Sequence, residues 1–114
     1  MINIHIYRDQ NGAIDAFNLH GHAGFAQKGE DIVCAAVSAL TFGTINAIEH
    51  LLNLSLSLEM REKDGFLHCA VPDIHDQATQ EKVQLLLEAM VLSLQSVEAD
   101  YGDYVKLTVH LANR

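Results

Sequence analysis

Hydrophobic and polar positions alternate at the very start of the chain. Ile2, Ile4 and Ile6 are interleaved with Asn3, His5 and Tyr7, the period of two that places every second side chain on one face of a strand. Asn11-Gly12 follows as a hairpin turn signal. A second strand then runs from about Ala13 to His20, with Phe17 and Leu19 on one face. The glycine-rich segment from Gly21 to Glu30 breaks any regular period. From Asp31 to about Asn53 the period becomes helical, with Val33, Val37, Leu40, Thr44, Ala47, Ile48 and Leu51 three or four apart. Ala35, Ala39 and Gly43 occupy the opposite side, so this helix is apolar almost all round. Such a helix is expected to be covered on more than one side, by the sheet and by a neighbouring element or subunit.

The second half repeats the order. Leu54, Leu56, Leu58 and Met60 alternate with small or polar residues, Asp64-Gly65 turns, and a return strand runs from Phe66 to Val71. Pro72 closes it, and Asp73 or Asp76 can cap a helix over about Asp76 to Ala99. That helix carries the stripe Val83, Leu86, Leu87, Met90, Leu94 and Val97, and Tyr104 to Ala112 alternates as a last strand. The order β-β-α-β-β-α-β predicts an α+β fold, a two-layer sandwich of a mainly antiparallel sheet and two long helices. Residues 1–114 read as a single domain, large enough to bury roughly two-thirds of the unfolded surface.

Composition narrows the function classes. Fifteen acidic and 7 basic residues give a formal net charge of −8, which disfavours general binding to phosphate backbones and suits a basic partner. The start of the chain alternates where a secretion signal would be basic and then continuously apolar. The longest stretch without a charge or an amide, between Asp31 and Asn46, is too short to span a bilayer. Cys34 and Cys69 are the only cysteines, too few for a disulfide framework. A cytoplasmic location with reduced thiols, away from membranes, is the expectation.

Candidate chemistry gathers where the glycine-rich segment meets the helix. With Asp31 as N-cap, Cys34 falls in the first turn, where free backbone N–H groups and the positive dipole end favour a thiolate. A carboxylate so close acts the other way, so Asp31 is no obvious activator. Position alone leaves a nucleophile and a small apolar core residue both open for Cys34. Cys69 alternates with Leu67 and Val71 within a strand and reads as core. Of the seven histidines, His5, His68 and His110 fall in strands, His50 near a helix end and His75 before the second helix. His22 differs: Gly21, Ala23 and Gly24 leave its imidazole room to approach Cys34 as a general acid/base. Asp31, three before Cys34, and Ser38, four after it, share its side of the helix. His20, His22 and Cys34 do not make a convincing zinc set, because a structural site usually needs four ligands. No metal or cofactor is expected. A thiol redox protein is disfavoured by the missing CxxC.

The segment "GHAGFAQKGEDIVCAAVS" resembles the signature of the bacterial ribosomal-processing cysteine protease family, Prp. Gly21, His22 and Ala23 match its first part, and Asp31, Val33, Cys34, Ala35, Ala36, Val37 and Ser38 its second. The resemblance implies a small, homodimeric α+β cysteine endopeptidase that removes the N-terminal extension of a large-subunit ribosomal protein; the alternative is a non-catalytic ribosome-assembly or peptide-binding factor. By position it implies Cys34 as nucleophile, His22 as acid/base partner, and Asp31, Ser38, Gly21 and Ala23 as accessory or substrate-binding residues. The implied partner is a basic peptide with aromatic residues before the cut and lysines after it, with no direct nucleic-acid contact. The segment from Gly24 to Glu30 is expected to act as a hinged flap over the bound chain.

Overall fold

The structure is a computed structural model describing residues 1–27 and 30–112; Lys28 and Gly29 of the expected flap lie outside the described residues. The elements are β1 (Ile2–Arg8), β2 (Ile14–His20), α1 (Ile32–Leu51), β3 (Ser57–Arg61), β4 (Phe66–Ala70), α2 (Gln77–Asp100) and β5 (Val105–Leu111). This is the α+β order the sequence predicts. The strands lie in the order β3-β4-β2-β1-β5. Three neighbouring pairs are antiparallel, and β1 pairs with β5 in parallel.

Both helices cover one face of the sheet. Ile2, Ile4, Ile6, Phe17, Leu67 and Cys69 point inward to meet Val33, Val37, Ile45 and Ile48 of α1 and Val83, Leu87, Met90 and Leu94 of α2. The repeat of buried residues at three and four in each helix is what an amphipathic stripe against a sheet requires. Thr41, a polar residue in this core, donates its hydroxyl to Val37 O at 2.9 Å, which removes the cost of burying it. Two side chains of α2 lock the helix to the sheet. Gln84 donates to Ile14 O and accepts from Ile14 N, each at 2.8 Å. Glu88 receives both outer nitrogens of Arg8, at 2.6 and 2.9 Å.

Three expectations are corrected. The strand of the second hairpin begins at Ser57, so Leu54 and Leu56 precede it. Leu58 and Met60 are 41% and 53% exposed, although their partners Cys69 and Leu67 are buried. They lie on the helical side of an edge strand, beyond the reach of either helix. Second, α1 is 20 residues long and contains an 18-residue window of mean hydropathy 1.6, long and apolar enough by length and composition to cross a bilayer. Asn46 does not interrupt it, and α1 nonetheless supplies Val33, Val37, Ile45 and Ile48 to the core. Third, Ala35, Ala39 and Gly43 are exposed: the sheet and α2 cover one side of α1 only.

Candidate active site

Asp31 organises the start of α1. It is the N-cap, with Oδ1 accepting from Val33 N at 3.0 Å and Cys34 N at 2.9 Å. Those bonds satisfy two of the helix's orphan donors. Its Oδ2 accepts from Phe25 N at 3.2 Å, so the same carboxylate ties down the preceding loop. Burial acts to raise the Asp31 carboxyl, but the amides of Cys34, Phe25 and Ala26 hold it below the usual carboxylate range.

Cys34 is half-buried, with its sulfur toward the loop. Ala23, itself buried, donates its N–H to Cys34 Sγ at 3.4 Å. The thiolate expected at the helix start is opposed by its surroundings. Burial pushes the Cys34 thiol up and the Asp31 carboxylate adds to the effect; the Ala23 N–H and the α-ammonium of Met1 work against them. The Cys34 N–H is not free to hold an oxyanion, because Asp31 already occupies it.

His22 is exposed on the loop and held by its backbone. Its carbonyl accepts from the α-ammonium of Met1 at 2.6 Å, and the neighbouring Gly21 N donates to Asp64 O at 3.3 Å. Gly21 has φ +95°, and a Cβ there would overlap the carbonyl oxygen of Met1. Close approach makes the same demand at Gly65 in the β3–β4 turn: a Cβ would stand 2.5 Å from Gly21 O and 3.0 Å from His22 Cε1. The hairpin turn therefore buttresses the histidine, a role that local sequence does not signal because it depends on the sheet order.

Two cavities meet at this point, and His22, Cys34 and Ser38 line both. The smaller, about 250 Å³, is walled by Leu19, Val37, Phe42, Met60, Phe66 and Leu67. The larger, about 620 Å³, is lined by Asp31, Glu62 and Lys63 beside the loop residues Gly24 and Ala26. Gly21 borders the apolar cavity. Ala23 reaches the site through its N–H. Among the described residues no hydrogen bond joins His22 to Cys34. His20 belongs elsewhere: its ring stacks on His5 at 5.5 Å, and no three His, Cys, Asp or Glu side chains among the described residues are placed to hold a metal ion. Cys69 is fully buried and its thiol is pushed up to about 12, chiefly by burial and further by Glu49. Sequence reasoning missed Gly65 and Glu62; the latter is one acidic residue among several in its hairpin, with nothing local to single it out.

The family model for cysteine protease Prp matches residues 1–106. The chain belongs to the cysteine protease Prp family. It is 37% identical over 111 residues to the ribosomal processing cysteine protease Prp of Bacillus subtilis, a match covering 97% of this chain and 99% of that one. A crystal structure of the ribosomal processing protease Prp from S. aureus with a covalently linked product peptide superposes with a TM-score of 0.87 at 31% identity. The superposition covers 96% of this chain and 100% of that one. The S. aureus protease with a substrate peptide gives 0.83 at 30% identity, with the same coverage. This chain is accordingly a cysteine protease, as the resemblance implies, built on the family's α+β fold.

Proposed function

We propose that this protease removes the N-terminal extension of a large-subunit ribosomal protein by acyl transfer, with Cys34 as nucleophile and His22 as its general acid/base. The observation that carries the assignment is that both residues line the same two cavities. Burial and the Asp31 carboxylate push the Cys34 thiol up, so its attack calls for a base, and His22, which lines the same cavities, takes the proton. The sulfur then attacks the scissile carbonyl carbon, forming the S–C bond. His22 returns the proton to the departing amine as the C–N bond breaks, and then activates water to hydrolyse the thioester. The Ala23 N–H, close to sulfur, is the donor available to the oxyanion, since Asp31 occupies that of Cys34. Ser38, four residues after Cys34 in the wall of both cavities, is a second donor to the bound peptide. The product peptide covalently linked to the S. aureus relative supports a covalent route.

The cavities also support the finer reading of the substrate. The apolar pocket between Phe42, Met60 and Phe66 suits an aromatic side chain. The larger cavity, with two carboxylates (Asp31 and Glu62) against one ammonium (Lys63), suits a lysine. A homodimer is supported by the uncovered side of α1, whose most apolar window is only 28% buried. Free thiols at Cys34 and Cys69 support a reducing compartment, the cytoplasm. The test is product mass: incubation with the extended ribosomal precursor should give one internal cut, abolished by prior thiol alkylation. Stable binding with no cut contradicts the proposal.

A further inference from the structure

Phe25 belongs to the loop between His22 and Asp31 and is 40% exposed, yet two tyrosines meet its ring edge-on. The Tyr101 ring lies 5.9 Å away at 86°, and that of Tyr104 lies 5.2 Å away at 85°. Both geometries are the edge-to-face arrangement that the ring quadrupoles favour. The tyrosines are mounted on a well-tied turn. Tyr101 caps α2 with its N–H on Val97 O at 2.8 Å, and its carbonyl accepts from Tyr104 N at 2.9 Å and Val105 N at 3.1 Å. The Tyr104 carbonyl in turn accepts from Ile2 N at 2.8 Å, linking the turn to the start of β1. Phe25 N on Asp31 Oδ2 and Ala23 N on Cys34 Sγ attach the loop to the start of α1.

We propose that Tyr101 and Tyr104 are positioning residues for the reaction: they clasp Phe25 and thereby hold the Ala23 N–H on the sulfur of Cys34. The inference rests on Cys34 as nucleophile and adds to it residues from the far end of the chain. Two edge-to-face pairs bias the loop toward its docked position by roughly five- to a hundredfold. With the clasp open, the thiol loses a donor that favours its ionised form, while burial and Asp31 still oppose ionisation.

The test is the rate of iodoacetamide alkylation at Cys34, located by peptide mapping across a pH series, with peptide turnover measured alongside. Phe25→Ala and the double variant Tyr101→Ala/Tyr104→Ala should move the alkylation profile to higher pH and lower kcat by about tenfold. The double variant Tyr101→Phe/Tyr104→Phe, which keeps both rings, should match the unmodified protein. If the alanine pair fails to fold, Phe25→Ala decides alone, because its ring lies outside the buried core. A Phe25→Ala profile coincident with that of the unmodified protein overturns the proposal. So does a phenylalanine pair as impaired as the alanine pair. If the ribosomal precursor proves not to be the substrate, the functional assignment fails, while the alkylation profiles still decide the clasp.

Discussion

Replacing Gly21 by alanine should both disable the site and destabilise the fold. At φ +95° an alanine sits in a region that costs an L-residue about 1–2 kcal/mol. Its Cβ also overlaps the Met1 carbonyl oxygen, which is backbone and cannot rotate away. Relieving such overpacking typically costs a further 1–3 kcal/mol, roughly. Relief requires the segment from Gly21 to His22 to shift away from Met1, which should displace the imidazole in the cavities it shares with Cys34. Displacement of about 1 Å at a reacting group costs on the order of a hundredfold in rate. Gly12 supplies the control, since it has φ +88° with nothing within 4 Å of a Cβ. Gly12→Ala should lose about 1–2 kcal/mol and keep its turnover. Gly21→Ala should lose about 2–5 kcal/mol and at least a hundredfold in kcat/KM, measured by urea unfolding and peptide cleavage. Gly21→Ala with the turnover and stability of Gly12→Ala would refute this reading.

Three further outcomes can be checked. Asp31→Asn keeps a good N-cap but removes the charge that helps to raise the Cys34 thiol; the alkylation profile should move to lower pH, and an unmoved or upward profile contradicts it. His5 has its pKa lowered by burial and by His110 and His20, so between the folded and ordinary values the unfolded state binds more protons. Stability from this group is full above the ordinary histidine range and is lost as pH falls through the lowered folded value. Urea midpoints should therefore drop on acidification, and less so in His5→Gln. Cys69→Ser places a hydroxyl in a fully buried position and should cost about 1–3 kcal/mol while Cys34-dependent turnover persists; complete loss of turnover in folded protein counts against Cys34 as the sole nucleophile.

Much of the fold was legible because local patterns and tertiary burial agree. Alternation at Ile2, Ile4 and Ile6 and the stripe from Val83 to Leu94 mark inward faces, and all seven positions Ile2, Ile4, Ile6, Val83, Leu87, Met90 and Leu94 are buried. Asp31 was legible as a cap because a short carboxylate ahead of an apolar periodic run has one obvious use. Pairing of β1 with β5 was not legible, since it joins the two ends of the chain and no local signal encodes it. The same holds for the approach of Gly65 to His22, which exists only because β4 pairs with β2. At Leu58 and Met60 alternation predicted burial, but the helices stop short of that edge, and Met60 became a cavity wall. The upward push on the Cys34 thiol was legible only in part, because the nearby Asp31 charge is visible in sequence and burial of the sulfur is not.

The most direct test of the account is intact-mass analysis of the enzyme during turnover of the extended ribosomal precursor. The account predicts one internal cut and a transient adduct equal in mass to the N-terminal fragment, mapped to Cys34. It predicts neither with folded Cys34→Ala protein. Unimpaired cleavage by that variant, or precursor held intact without a cut by the unmodified protein, would contradict it.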